Sequence, residues 1–126
     1  ANAGCTYVAK LLSESKSLHY LNLESNHIGD YGAVALAQAL LHNESLEKLW
    51  LHDNRISDVG AIAFVHALVV RNRTLTSLTL SSNFTLKLKT VRAFRILVTL
   101  NKNITELRFS YKQTAPRRLL DSIYNQ

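Results

Sequence analysis

The feature that most constrains this chain is an internal repeat. The segments LHYLNLESNHIGDYGA, which begins at Leu18, and LEKLWLHDNRISDVGA, which begins at Leu46, share three leucines, an asparagine, an isoleucine and an Asp-x-Gly-Ala ending. Related stretches begin at Leu75 and Ile104, so successive starts are 28, 29 and 29 residues apart. Self-similarity at a period of about 20 to 50 residues is the signature of repeat proteins, whose units stack into one core. The repeat therefore predicts a solenoid.

Each unit reads as a strand followed by a helix. Leu21 and Leu23, like their counterparts in the next two units, alternate with other residues, which predicts a short strand. The apolar residues that follow have helical spacing, and Asp30 and Asp58 stand where a helix N-cap or first turn favours a short acidic side chain. We expect one domain over residues 1–126, with repeats at 18–45, 46–74 and 75–103, a degenerate repeat and C-terminal cap at 104–126, and a partial repeat or N-terminal capping helix at 1–17.

The motif L-x-x-L-x-L-x-x-N in these units, together with the 28- and 29-residue spacing, resembles the leucine-rich repeat family. Within that family it is similar to the ribonuclease-inhibitor-like subtype. The resemblance implies an α/β horseshoe of three to four repeats, with a parallel sheet on the concave face and helices on the convex face.

Asparagines recur at the end of each strand motif. Asn26, Asn54 and Asn83 occupy one column, meaning the equivalent position in successive repeats. Their side-chain amides can bond the turn backbone of their own and neighbouring units, and buried backbone groups need such partners. We interpret this column as a structural asparagine ladder.

Four sequons for asparagine-linked glycosylation are present, at Asn43, Asn72, Asn83 and Asn103. Two explanations stay open. The sequons indicate either a glycosylated secreted protein or, as we favour, a by-product of the repeat. Under the second explanation, Asn43 and Asn72 lie at helix ends, where asparagine tolerates the left-handed conformation.

Period-two alternation places the residues between the motif leucines on the concave face. Trp50, the single tryptophan, is expected to be exposed there, where a large aromatic side chain can dominate binding energy. The alternative is that the indole only packs on its neighbours. The predicted concave contact residues are Tyr20, Asn22, Glu24, Lys48, Trp50, His52, Thr79 and Arg108.

Charge is divided unevenly along the chain. Residues 64–126 hold eleven Lys or Arg and two acidic residues, a net charge of +9, whereas residues 1–63 have a net charge of −3. This asymmetry predicts an acidic protein partner, with a nucleic acid or an anionic surface as further possibilities, or else an ordinary solvated surface. The predicted basic patch consists of Lys87, Lys89, Arg92, Arg95, Arg117 and Arg118.

Catalytic patterns are missing from the sequence. The five histidines show no metal-ligand spacing with Cys5 or with carboxylates, and the chain has no phosphate-binding glycine loop. Cys5 falls in the column of Ala33 and Ala61, which predicts a small buried residue. We therefore expect a chain that is not an enzyme and uses no cofactor or metal, without a membrane span, in the cytoplasm, with a secreted location as the alternative. The oligomeric state stays open.

The resemblance implies a protein–protein interaction module. The first two units are most similar to the repeats of NOD-like receptors, which implies an innate-immune sensor or regulator. As an alternative, LTSLTLSSNF from Leu75 and YKQTAPRRL from Tyr111 are similar to the C-terminal repeat domain of tropomodulins, which bind actin and the cytoskeleton.

Overall fold

Strands and helices alternate along the chain, as the repeat predicts. The computed structural model describes residues 2–111 and Ile123; the proposed C-terminal cap therefore lies largely outside the described residues. The elements are α1 (Asn2–Glu14), β1 (Tyr20–Asn22), α2 (Asp30–Leu40), β2 (Lys48–Trp50), α3 (Asp58–Val70), β3 (Ser77–Leu80), α4 (Leu88–Leu100) and β4 (Glu106–Phe109). No described helix has both the length and the apolar character needed to cross a lipid bilayer.

The four strands form one parallel sheet in the order β1-β2-β3-β4. Leu21 pairs with Leu49, Leu49 with Leu78, and Leu78 with Leu107, so each strand meets the same motif position of the next strand. A connection from a strand through one helix to its parallel neighbour is almost always right-handed, which keeps the helices of consecutive repeats on the same side of the sheet. The predicted α/β solenoid with one parallel sheet is confirmed.

The core lies between the sheet and the helices. Leu49 and Leu78 point inward and are fully buried, as are Leu36, Phe64 and Phe94 from the helices. Stacking units in this way removes the inner face of every central repeat from water, which is the main source of solenoid stability. The half-buried state of Leu21 follows from its place in β1, which is an edge strand of the described sheet.

Two glycines allow neighbouring helices to approach closely. A Cβ added to Gly32 of α2 would lie 3.0 Å from the Sγ atom of Cys5 in α1. At Gly60 of α3 the added Cβ would lie 2.8 Å from the Cβ of Ala33 in α2. Cys5 itself is buried, as expected from its column, and burial raises the pKa of its thiol. The small residues near the starts of α2 and α3 therefore form the contacts between neighbouring helices.

The asparagines after the strands bond successive turns. The Oδ1 atom of Asn54 accepts hydrogen bonds from the backbone N–H groups of Asn26 (3.0 Å) and Ile28 (2.9 Å), and its amide group donates to the Leu23 carbonyl oxygen (3.0 Å). Asn83 repeats this arrangement one unit later, where it accepts from Ile56 at 2.8 Å. Asn54 is buried and Asn83 half-buried, whereas Asn26 is exposed, because it belongs to the first strand motif.

A second asparagine ladder lies at the opposite ends of the strands. Asn43, Asn72 and Asn101 are all buried. The amide group of Asn72 donates to the Leu40 carbonyl oxygen at 2.8 Å and to the Asn43 carbonyl oxygen at 3.1 Å. The left-handed backbone expected for Asn43 and Asn72 is wrong, since among the described non-glycine residues only Ser25, His27, Asp53 and Ser82 have a positive φ. These asparagines are required for their buried amides instead.

Candidate protein-binding surface

The strand register aligns the predicted contact residues in columns across the outer face of the sheet. Asn22, Trp50, Thr79 and Arg108 are successive partners in one column. A second column runs Tyr20, Lys48, Ser77 and Glu106. Because alternate residues of a strand point to the same side, both columns lie on the face opposite the buried leucines.

An aromatic pair dominates the β1–β2 part of this face. The rings of Tyr20 and Trp50 are nearly parallel, with an interplanar angle of 9° and centroids 6.3 Å apart. The Nζ atom of Lys48 lies 5.7 Å from the centroid of the Tyr20 ring, within the range of a cation–π interaction. Trp50 is half-buried by this packing, while Tyr20 remains 57% exposed. The indole of Trp50 therefore packs on its neighbours and also remains partly exposed to solvent.

A charged pair lies at the β3–β4 end of the same face. The Nε atom of Arg108 lies 3.2 Å from Oε2 of Glu106, and the Ser77 hydroxyl donates a short hydrogen bond to Oε1 of Glu106. The hydrogen bond from Ser77, followed by the one from Arg108, holds the pKa of the Glu106 carboxyl below its usual value. Glu106 was not among the predicted contact residues, although its register beside Ser77 could have identified it.

Thr79 differs from its expected place at a binding surface. It is only 7% exposed, and its hydroxyl oxygen is buried without a hydrogen-bond partner among residues 2–111 and 123. The physical reason is the register, which places this short side chain between the much larger Trp50 and Arg108. Thr79 therefore forms the floor of the surface, and its larger neighbours provide the area that a partner could contact.

The third set of predicted residues follows the strands. The Nε2 atom of His52 forms a short contact with Oε2 of Glu24, and both side chains are partly exposed. The side-chain oxygen of Asn22 accepts a hydrogen bond from the Glu24 backbone N–H at 3.0 Å, which fixes the chain where β1 ends. These contacts make the surface at the ends of β1 and β2 polar, in contrast to the aromatic pair beside it.

The basic patch occupies a different surface. Lys87 precedes α4, and Lys89, Arg92 and Arg95 are exposed along it, whereas Arg117 and Arg118 lie outside the described residues. The Lys87 backbone N–H donates to the Asp58 carboxylate at 2.9 Å. Desolvation would raise the pKa of Asp58, but hydrogen bonds from Thr90 and from the Lys87 backbone, with the charge of Lys87, bring the pKa below its usual value.

A metal-binding cluster does not occur in the part of the chain that the structure describes, where no group of three or more His, Cys, Asp or Glu side chains is arranged to hold an ion.

The outer face of the sheet carries aromatic, cationic and carboxylate groups on neighbouring strands. Such a mixture suits the binding of a protein surface.

Comparisons with known proteins agree with this architecture. A family model described as Leucine Rich repeat matches residues 14–37 and 42–65. The fold is a leucine-rich-repeat solenoid. A structure of leiomodin-1 actin-binding site 2 superposes with a TM-score of 0.85 at 22% sequence identity, covering 99% of this chain and 72% of that one. The tropomodulin C-terminal domain of Caenorhabditis elegans superposes with a TM-score of 0.76 at 17% identity, covering 96% and 72% of the two chains. No curated protein matches the sequence.

Proposed function

We propose that this leucine-rich-repeat solenoid is a non-enzymatic protein-binding module of the actin cytoskeleton. The observation that carries the proposal is the likeness over 99% of the chain to a structure described as an actin-binding site of leiomodin-1. The C-terminal domain of a tropomodulin is a second structure of the same kind. A cytoplasmic location follows from this proposal.

The outer face of the sheet supports a binding role. Tyr20 and Trp50 are stacked in advance of any partner, so little side-chain entropy is lost when they are covered. The Glu106–Arg108 pair at the other end of the face fixes charged groups in place. Large aromatic side chains beside polar and charged groups are typical of interaction hot spots.

The charge distribution also suits this partner. The net charge of +9 over residues 64–126 would attract an acidic protein, and actin is acidic. A NOD-like receptor role in innate immunity, expected from the first two repeats, has the same fold but is favoured by neither structural neighbour. The ribonuclease-inhibitor-like subtype stays a prediction as well, since the matching family model describes leucine-rich repeats in general.

Cosedimentation with actin filaments, together with a binding assay on monomeric actin, tests the proposal. We expect the chain to bind one of the two forms, and Trp50→Ala to weaken that binding about tenfold or more. Val70→Ala is a matched control, because Val70 is an exposed apolar residue at the end of α3, away from the sheet. Absence of binding to both forms of actin would refute the cytoskeletal role. Binding that Trp50→Ala leaves unchanged would place the contact on another surface.

A further inference from the structure

The small residues that separate the first three helices are replaced in α4. Gly60, Ala63 and Ala67 of α3 lie on the side that meets α2, where Gly60 approaches Ala33 and the two alanines border the crevice between the helices. Their equivalents 29 residues later are Lys89, Arg92 and Ile96. These larger residues cannot pack at the separation that glycine and alanine allow, and α4 does pack less extensively on α3 than α3 packs on α2.

The replacement exposes apolar surface. Ala39 and Ala67 are buried in α2 and α3, whereas Ile96, in the same column of α4, is 56% exposed. Leu100 follows one turn later and is 57% exposed. Residues four apart lie one above the other on a helix, so Ile96 and Leu100 form an exposed apolar stripe along α4.

Cations border this stripe. Lys89 and Arg92 precede Ile96 by seven and four residues, spacings that place them on the same helix face, and Arg95 lies at its edge. All three cations are exposed. None of them forms an ion pair within residues 2–111 and 123, where the ion pairs are His19–Glu47, His52–Glu24 and Arg108–Glu106. We call this surface the α4 face; its residues are Lys89, Arg92, Arg95, Ile96 and Leu100.

We propose that the α4 face is a second protein-binding site, which takes an acidic amphipathic helix of a partner protein. The apolar stripe offers an anchor for two side chains one helical turn apart, the usual way in which a helix is recognised. The exposed cations beside it select for acidic residues next to those anchors and steer their approach. A polyanion or an anionic membrane would use the charges but would gain nothing specific from Ile96 and Leu100.

A display library of helical peptides of about 20 residues tests this proposal. Half of the library carries two leucines four residues apart, and the other half carries serines there. The surrounding positions vary among Glu, Lys, Gln and Ala. Selection on the whole chain is expected to enrich leucine-pair peptides that are rich in Glu. Enrichment of serine-pair peptides, enrichment without an acidic bias, or no enrichment would overturn the proposal.

Paired variants then locate the binding of the enriched peptides. We expect Arg92→Gln with Arg95→Gln, and separately Ile96→Ser with Leu100→Ser, to weaken affinity about tenfold or more each. The matched controls are Lys16→Gln with Arg55→Gln for charge and Val59→Ser with Val70→Ser for exposed apolar area, and both should bind as the parent does. All these side chains are exposed, so each variant should keep the parent's circular dichroism spectrum.

Binding to heparin tests for a polyanion ligand, and binding to vesicles that contain phosphatidylserine tests for an anionic membrane. We expect the Arg92→Gln/Arg95→Gln variant to bind both more weakly than the parent, while the Ile96→Ser/Leu100→Ser variant binds both as the parent does. If the apolar variant also binds the peptides like the parent, the surface is a simple anion-binding one and the proposal is wrong. Trp50→Ala should bind the enriched peptides normally, so failure of actin binding and failure of the α4 face are distinguishable.

Discussion

The carboxylate of Asp30, the first residue of α2, accepts a hydrogen bond from the backbone N–H of Gly60, in the first turn of the next helix, at 2.9 Å. It also accepts from the Ser57 backbone N–H at 2.8 Å and from the Ser57 hydroxyl at 2.5 Å. The free N–H groups at a helix start need an acceptor, and here the preceding repeat supplies it. The sequence places Asp30 at a helix start, but its role extends to the following helix.

Asp30→Ala should lower the free energy of unfolding by about 1–2 kcal/mol, the usual cost of losing a helix cap. Glu44→Ala is the control, because Glu44 is an exposed acidic residue away from any helix start. The measurement is urea denaturation of both variants and the parent. Equal midpoints for the two variants would show that the contact between repeats contributes no stability.

Asp58 gives a prediction for pH. Because its pKa is lower in the folded protein than the usual 3.8, the ionised carboxylate stabilises the fold above that value, and this stabilisation is lost as the pH falls through the folded pKa. The melting temperature of the parent should therefore exceed that of Asp58→Asn at neutral pH. The difference should shrink as the pH is lowered below 3.8. A difference that stays constant over the acid range would contradict the prediction.

The first asparagine ladder offers a matched pair within one column. Asn54 is buried and bonds the backbone of two turns, whereas Asn26 occupies the same motif position but is exposed. Asn54→Ala should cost about 1–3 kcal/mol, since it leaves buried backbone groups without partners. Asn26→Ala should cost clearly less. Thermal or chemical denaturation of the two variants compares them directly, and similar losses would contradict a special role for the buried amide.

The sequons can be ranked by burial. Asn43 and Asn72 are buried, and the amide group of Asn83 donates to the Leu51 carbonyl oxygen at 2.8 Å, whereas Asn103 is exposed. A glycan on a buried amide is incompatible with the fold, so we expect folded protein from a eukaryotic secretory host to carry a glycan at Asn103 alone or at none of the four. Peptide mapping by mass spectrometry checks this. Occupancy of Asn72 in folded protein would contradict the second ladder.

The sequence predicts features that depend on the alternation of residues within one strand, but not features that depend on contacts between neighbouring repeats. The period of two at Leu49 and Leu51 fixes which side of the sheet is buried, so the strands and the outward direction of Trp50 follow from the pattern alone. The burial of Thr79 does not follow, because it depends on the size of side chains in neighbouring strands. The role of Asn43 was missed for a related reason: its amide group donates to the Leu12 carbonyl oxygen, which lies in the preceding unit.

The exposure of Ile96 was likewise not apparent from one unit. Its helical spacing in α4 is ordinary, and only comparison with Ala39 and Ala67 in the preceding helices shows that a large residue stands in a column of small ones. The repeat aligns positions well. It does not by itself give the distance between helices, which the smallest pair of facing residues determines.

That distance leads to the last prediction, on two helical glycines. An added methyl group at Gly60 would lie 2.7 Å from the Cγ2 atom of Ile56 and 2.8 Å from the Cβ of Ala33, so Gly60→Ala should force α3 away from α2 and destabilise the fold by about 1–3 kcal/mol. At Gly4 in α1 nothing lies within 4 Å of an added Cβ. Gly4→Ala should therefore stabilise the protein by up to about 1 kcal/mol, because alanine loses less backbone freedom than glycine in a helix. Chemical denaturation of the two variants should move the midpoint in opposite directions. A shift of the same sign in both would mean that the helices do not approach each other as closely at Gly60 as the structure has them.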